Sequence, residues 1–366
     1  MSRKNKSKSF AQSFTPPPES GSSRIAQSLS MRLLALLLIG FFMIYLKSLL
    51  IPLVLAILLA FLLSPTISKM HEKGVNFVLS TVLAHMLSLV LISGALFAFT
   101  TTLEPLSKAA PKYRQAMVNE LTLGMEWINT KINNPKTQEA LKREVEESIL
   151  PRAIDHGVEM TQTGVKLTTN LLGNFFLTLL LSIFILLESQ SLREKMSEAY
   201  GENNPLLASL GDIGLDVRAY VVAKTLTSLL TAACVYIVLL FAGVDFAFFW
   251  ALITFPLNFI PTVGVVVAAV PPITIAFVDP ELSLSTALIV TFSLGVTNAF
   301  IGSVIEPNYV GQKVKLSALV VFLSMLLWGL LWGPVGMILA VPIMVSVKVI
   351  CSHIKGLEPI AIIMRG

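Results

Sequence analysis

The sequence predicts an all-α, polytopic integral membrane protein with about eight membrane segments. Of its 366 residues, 54% are hydrophobic and 13% are charged, whereas soluble domains carry about 25% charged residues. The mean hydropathy is +0.77. Long apolar runs recur along the chain, and one membrane span needs roughly 20 such residues. These runs are 33–67, 77–103, 167–187, 219–242, 246–278, 282–305 and 316–350.

Residues 1–30 predict a disordered cytoplasmic tail. They are rich in Ser, Pro and Lys and too poor in apolar residues to offset the entropy lost on ordering. Cations cluster ahead of the first apolar run, where the positive-inside rule places cytoplasmic charge. This topogenic role explains the net charge of +5 without a nucleic-acid partner. The cations are Arg3, Lys4, Lys6, Lys8, Arg24 and Arg32.

Residues 31–103 predict three transmembrane helices. One helix over 33–67 would be ~52 Å long, against a hydrocarbon core of ~30 Å. This run therefore forms two helices, and 77–103 forms the third. The chain then emerges outside, where 104–165 carry eight Lys or Arg and nine Asp or Glu, with apolar residues near helical spacing. This segment predicts an extracytoplasmic amphipathic helical cap.

Residues 166–355 predict the transmembrane transport core, followed by a cytoplasmic C-terminal tail at 356–366. The first core span, 167–187, returns the chain to the cytoplasm. The next span, 219–242, has charged residues at its cytoplasmic end: Asp216, Arg218 and Lys224. Both termini are expected in the cytoplasm.

Two later runs contain residues that interrupt a helix. A proline inside a helix costs ~3 kcal/mol, and the freed backbone must be buried in protein or line a wet cavity. Each run is either one kinked span or a re-entrant hairpin. Lys313 and Lys315, between the two runs, mildly favour hairpins, because only hairpins leave these lysines in the cytoplasm. The interrupting residues are Pro256, Asn258, Pro261, Gly264, Pro271 and Pro272 in 255–272, and Gly329, Gly333, Pro334 and Gly336 in 328–336.

A polar stripe runs along the span 282–305. Its members recur in steps of four, three, four and four, which places them on one side of a helix. The stripe is either a small-residue packing surface or a polar track. Its members are Thr291, Gly295, Asn298, Gly302 and Glu306.

Glu306 is the carboxylate best placed to have a function, because it directly follows a membrane span. A helix cap, or an ion pair with Lys313 or Lys315, explains it nearly as well. Pro307 restricts the backbone of Glu306 and predicts the end of the preceding helix.

Several chemistries lack a signal in the sequence. No phosphate-binding G-x-x-x-x-G-K-[ST] loop occurs, and neither a Ser/His/Asp grouping nor an H-E-x-x-H pair suggests a hydrolase. Cys234 and Cys351 show no metal-ligand spacing, and His85 within a span is expected to be a hydrogen-bonded structural residue. We therefore predict a protein without enzymatic activity, metal or cofactor, whose transport is gradient-driven or passive.

Two segments, "NFIPTVG" (258–264) and "VIEPNYVGQKVKLSALVVFLSMLLWGLLWGPVGMILAVPIMVSVKV" (304–349), resemble the signature regions of the autoinducer-2 exporter family, also called PerM-like permeases. The resemblance implies a bacterial inner-membrane protein and a homo-oligomer, for which a pentamer is one expectation. Family members commonly have a Gly-Gln pair where this chain has Ala223-Lys224. The matching residues are Phe259, Ile260, Pro261, Gly264, Glu306, Pro307, Gly311, Leu316, Ser317, Gly329, Gly333, Gly336, Pro342 and Lys348.

These observations predict a transporter that exports a small polar solute, such as an autoinducer-2-type signal. The alternatives are a cation(Na⁺)/proton antiporter and a non-transporting oligomeric membrane scaffold. The expected partners are the lipid bilayer, the solute or ion, and further copies of the chain. The candidate residues of the transport path are Asn258, Pro261, Gly264, Asn298 and Glu306. Residues expected to break or pack helices are Pro256, Pro307, Gly311, Gly329, Gly333, Gly336 and Pro342.

Overall fold

The computed structural model describes residues 21–131, 173–189, 191–192, 194–199, 201, 205–311, 316–354 and 356–366. These residues are mostly helical and contain no strand. The chain forms two compact units, residues 1–50 and 51–366. The helices are α1 (Gly21–Tyr45), α2 (Lys47–Glu72), α3 (Phe77–Lys131), α4 (Gly173–Ser189), α5 (Pro205–Ala242), α6 (Ala247–Leu257), α7 (Val263–Val278), α8 (Leu284–Phe300), α9 (Ala318–His353) and α10 (Glu358–Ile363).

The described residues include eight apolar helical segments, which confirm the prediction of a polytopic helical membrane protein. Five are long and apolar enough to cross a membrane: Lys47–Glu72, Phe77–Leu106, Gly211–Ala242, Leu284–Tyr309 and Ala318–His353. The three shorter ones are Gly173–Ser189, Ala247–Leu257 and Val263–Val278.

Helices α6 and α7 form a re-entrant hairpin. They contain 11 and 16 residues, and at 1.5 Å per residue each is too short for a hydrocarbon core of ~30 Å. Lys112 contacts both ends of the pair: its Nζ lies 3.9 Å from Asp245, before α6, and 3.2 Å from Asp279, after α7. The chain therefore enters and leaves on the same side. The break predicted at 255–272 is narrower in the structure. The helix is interrupted at 258–262, the tip of this first hairpin, whereas Pro271 and Pro272 lie inside α7.

Helix α9 forms a second hairpin, because its chain reverses at Gly333. This residue has φ 67° and ψ −149°, a conformation that glycine adopts without steric cost. A Cβ on Gly336 would lie 1.9 Å from the carbonyl oxygen of Trp328, although eight residues of straight helix would separate these positions by ~12 Å. The N–H of Ser317, at the start of α9, also bonds to the carbonyl of Met364, beyond its end, at 3.0 Å.

The two hairpins enter from opposite ends of α5. The first hairpin opens near Asp245, just past the C-terminal end of α5. The second opens near the N-terminal end, where the His353 Nε2 lies 3.3 Å from the Asp212 carboxylate. A membrane requires interrupted backbone to be buried in protein or to line a wet cavity, and both hairpins pack against α5.

Three buried clusters hold the helices of the second unit together. Burial of apolar side chains stabilises each cluster at roughly 25 cal/mol per Å² removed from solvent. The first cluster joins α5 to the first hairpin and α8 through Leu239, Ala251, Ala276 and Val290, among others. The second joins α5 to α9 through Val217, Tyr220, Val221, Val341 and Val345. The third joins α2, α3 and α4 through Ala60, Ile67, Ala84 and Leu186.

The structure departs from the predicted domains at three places. Helix α1 begins at Gly21, so residues 21–30 are helical rather than part of a disordered tail. Helix α3 has 55 residues and continues past residue 103 into the predicted cap; residues 132–165 of that cap lie outside the described residues. The segment 356–366 contains α10 and pairs with Ser317, so it is folded onto the start of α9.

Candidate functional site

Helix α5 carries three successive contacts that define the candidate site. Near its N-terminal end it packs on the second hairpin through Val217 and Val221. One turn later Lys224 pairs with Glu306, which lies in the helical stretch 301–311 that continues α8 (together, the α8 segment). One to two turns beyond that, Ser228 and Thr231 contact the tip of the first hairpin. The charge pair therefore lies on α5 between the contacts made by the two opposed hairpins.

Lys224 and Glu306 form an ion pair within the membrane-spanning segments. The Lys224 Nζ lies 2.5 Å from the Glu306 Oε1, and the side chains are 3% and 28% exposed. A single charge inside a membrane is costly, and pairing offsets much of that cost. The prediction of Lys224 as an end charge beside Asp216 and Arg218 is wrong, because α5 begins at Pro205 and places Lys224 well inside the bundle.

The structure pairs Glu306 with Lys224, 82 positions away in the chain. The ion pair expected with Lys313 or Lys315 stays a prediction, because both lysines lie outside the residues that the structure describes. Hydropathy does not reveal which helices are neighbours, so it could not identify the pair. One indication of the pair was present in the sequence: Lys224 stands where members of the resembled family commonly have a neutral amide.

The helix continues through Glu306 and Pro307, contrary to the prediction that it ends there. Glu306 has helical φ −61° and ψ −45°, and its N–H bonds to the carbonyl of Ile301, five residues earlier. Ile301–Ile305 and Pro307–Gly311 are π-helical. The wider turn of a π-helix accommodates the proline ring, and such segments are frequent at functional sites. Gly311 ends the second π segment.

Asn258, at the tip of the first hairpin, is buried against α5. Its Nδ2 lies 3.2 Å from the Ser228 hydroxyl and 3.4 Å from that of Thr231. Thr225 lies on the same side of α5 as Ser228, but its hydroxyl donates to the Val221 carbonyl. The amide therefore links the hairpin tip to α5 one turn from the charge pair.

The tip itself is a tight turn. The N–H of Val263 bonds to the carbonyl of Pro261 across Thr262, whose φ of 63° and ψ of −54° form a strained γ-turn. Gly264 is buried, and a Cβ there would lie 1.7 Å from the Leu257 carbonyl oxygen. Pro256 lies in the last turn of α6.

The second hairpin shows a related arrangement. Its arms meet at Gly329, where a Cβ would lie 2.8 Å from the methyl carbon of Met337. Trp328 and Trp332 are buried near the reversal, with ring centroids 4.8 Å apart. Pro342 is buried within the second arm.

The polar stripe of α8 is largely at the surface. Gly295 and Gly302 are exposed, and a Cβ on either would meet no atom within 4 Å. Asn298 is half-buried between them, and the Thr291 hydroxyl bonds to the Ala287 carbonyl. The residues that the structure describes thus do not pack closely on the two glycines of this stripe.

A second charge cluster ties α3 to the open end of the first hairpin. The Lys112 Nζ lies 3.0 Å from Glu281 and 3.2 Å from the buried Asp279, while the Tyr113 hydroxyl donates to Asp245 at 2.5 Å. The hydrogen bond to Glu281 raises the pKa of Lys112. Burial, followed by the bond to Asp245, raises the pKa of Tyr113. Lys112 is thus held as a cation and Tyr113 as a neutral donor.

His85 has a structural role. His85 is buried, with Nδ1 2.8 Å from the Thr81 carbonyl and Nε2 3.1 Å from the Ser182 hydroxyl, so it joins α3 to α4 as expected.

At the open end of the second hairpin, a cavity of about 310 Å³ is lined by Asp212, Asp216 and His353, among others. Within the described residues, no group of three or more His, Cys, Asp or Glu is arranged to hold a metal ion.

Comparison with known proteins identifies the family. A family model described as AI-2E family transporter matches residues 33–356. The chain is 32% identical over 317 residues to the AI-2 transport protein TqsA of Escherichia coli (strain K12), covering 86% of this chain and 88% of TqsA. It is 26% identical over 314 residues to YhhT of the same organism, covering 86% and 87%. The chain therefore belongs to the AI-2E family of membrane transporters.

Proposed function

We propose that the protein exports a small polar solute across the bacterial inner membrane, with an autoinducer-2-type signal as one candidate cargo. The observation that supports this most is the pair of opposed hairpins, which contact α5 on either side of the Lys224–Glu306 pair. Interrupted helices that meet within the membrane are where secondary transporters bind their cargo. The candidate cargo follows from TqsA, which is named as an AI-2 transport protein.

The proposed path follows α5 between the two hairpin tips. Asn258 and Glu306 present an amide and a carboxylate to it, and Pro261 and Gly264 shape the turn beside it. Asn298 belongs to the path only if the stripe of α8 faces it in the assembled protein. The exposed glycines of that stripe leave a surface on which another copy of the chain can pack, which supports a homo-oligomer.

We propose that the open end of the first hairpin faces outward and that of the second faces the cytoplasm. The cluster of six cations in residues 1–32 supports cytoplasmic termini. With this orientation, the part of α3 beyond Leu106 projects outside as the start of the extracytoplasmic cap, and 166–355 form the transport core.

The cargo is identified by an untargeted comparison of solutes inside and outside cells that contain or lack the protein. A solute that accumulates inside cells lacking the protein is then tested for flux in proteoliposomes. We expect Asn258→Ala and Glu306→Gln to lower that flux severalfold, and Asn174→Ala, at an exposed position of α4, to leave it unchanged. Sodium-dependent proton movement without solute flux would favour antiport, and no flux of any kind would favour a scaffold.

A further inference from the structure

The ion pair of the candidate site has an inner and an outer member. Lys224 is almost completely buried on α5, while Glu306 on the α8 segment retains 28% of its side-chain exposure. A solute or ion that reaches the pair therefore meets the carboxylate first. The ammonium group occupies the inner side of that carboxylate, where its Nζ contacts Oε1.

The charge of Glu306 needs a cation close by. A carboxylate within a membrane segment is stable only when it is paired, protonated or bound to a cation. In the described part of the chain, the ion pair recorded for Glu306 is the one with Lys224. Further along α5, Ser228 and Thr231 and the Asn258 amide that contacts them are neutral. The lysine therefore supplies the positive charge on which the ionised carboxylate depends.

The backbone beside Glu306 offers one further oxygen acceptor, the Gly302 carbonyl. In the π-helical pattern, each N–H bonds to the carbonyl five residues earlier, as Glu306 does to Ile301. Pro307 has no N–H, so it cannot donate to Gly302, the next carbonyl in that pattern. A carboxylate beside a carbonyl that lacks its helical N–H donor offers the type of oxygen ligands with which membrane transporters bind monovalent cations.

We propose that the Glu306 segment forms a binding site for a small monovalent cation or a primary ammonium ion, and that Lys224 permanently fills it as a tethered cation. The site is then electrically neutral without a bound ion, and the protein works without sodium at this position. Removal of the lysine would leave the site open to a free cation. This inference rests on the geometry of the pair and stands whether or not the protein exports a polar solute.

Thermal unfolding of the full-length protein in detergent tests this inference without any transport assay. Melting temperatures are compared in choline chloride, sodium chloride, lithium chloride and methylammonium chloride at equal ionic strength. We expect the wild type to respond equally to all four salts. Lys224→Ala should melt lower in choline and recover by several degrees in methylammonium or sodium, in proportion to ligand concentration. Lys224→Ala combined with Glu306→Gln should show no such recovery, because the carboxylate is absent.

Two further variants keep the test decisive. Lys224→Arg retains a tethered cation and should behave like the wild type, while Lys224→Gln preserves side-chain length and replaces Lys224→Ala if the latter does not fold. The inference is overturned if the wild type is stabilised by sodium or methylammonium as strongly as the neutral variants. It is also overturned if the neutral variants respond to none of these cations while Glu306 is present. Loss of solute flux alone bears on the proposed export and leaves these melting results unaffected.

Discussion

Two lysines that differ in burial hold acidic side chains of the second unit. Lys224 is buried and pairs with one carboxylate, so its site is neutral. Lys112 is 37% exposed and lies within 4 Å of three carboxylates, those of Asp245, Asp279 and Glu281. Asp279 is only 4% exposed, and a buried carboxylate without a cation is strongly disfavoured. Lys112 therefore holds the open end of the first hairpin together and attaches it to α3.

We expect Lys112→Gln to lower the melting temperature of the purified protein by several degrees, because Asp279 loses a cation and three like charges remain close together. Lys108→Gln is the matched control. Lys108 lies one turn earlier on α3 and pairs with Glu104, but both side chains are more than 70% exposed, and such surface pairs contribute little. Equal melting temperatures for the two variants would show that Lys112 does not hold this end of the hairpin.

The pH dependence of the same comparison follows from the raised pKa of Lys112. A lysine whose pKa is higher in the folded state stabilises the fold fully below its unfolded-state pKa, and this stabilisation is lost as pH rises through the folded-state value. The difference in melting temperature between wild type and Lys112→Gln should therefore be constant from neutral pH to about pH 10, the ordinary lysine range. This difference should shrink only in stronger alkali. A difference in melting temperature that vanished between pH 7 and pH 9 would contradict this account of Lys112.

Each hairpin places a glycine where its second arm passes the backbone of its first arm. Gly264 lies against the Leu257 carbonyl, and Gly336 lies against the Trp328 carbonyl. Both contacts involve backbone atoms, which cannot rotate away as the end of a flexible side chain can. The close approach of the two arms, rather than turn flexibility alone, therefore requires glycine at these positions.

We expect Gly264→Ala and Gly336→Ala each to destabilise the protein by about 3 kcal/mol, at the upper end of the usual cost of overpacking. The added Cβ would lie 1.7 Å or 1.9 Å from a carbonyl oxygen, so the backbone must shift. Gly94→Ala, at an exposed position of α3, is the control, because it meets no atom within 4 Å and alanine favours a helix. Thermal unfolding in detergent provides the measurement. A Gly264→Ala or Gly336→Ala protein as stable as Gly94→Ala would mean that the arms do not approach this closely.

The sequence was sufficient to locate these elements but not to decide their geometry. Proline, glycine and asparagine mark both breaks, because these residues disturb a helix regardless of its surroundings. Whether a broken run crosses the membrane or turns back depends on contacts such as those of Lys112 with Asp245 and Asp279, which are distant in sequence. The continuation of the helix through Pro307 likewise depends on π-helical geometry that residue preferences do not encode. The pairing of Lys224 with Glu306 required knowledge of which helices are neighbours.

At the scale of the whole molecule, opposed hairpins predict which charged residues are accessible from each side of the membrane. Glu281 lies at the open end of the first hairpin and Asp212 at that of the second, and both are exposed. In a background with Cys234→Ala and Cys351→Ala, we expect Glu281→Cys to react with a membrane-impermeant maleimide added to intact spheroplasts. Asp212→Cys should react only after permeabilisation, because α5 separates the two ends by a membrane span. Labelling of both from outside would contradict the opposed arrangement, whereas labelling of Asp212→Cys alone would preserve it and reverse the proposed orientation.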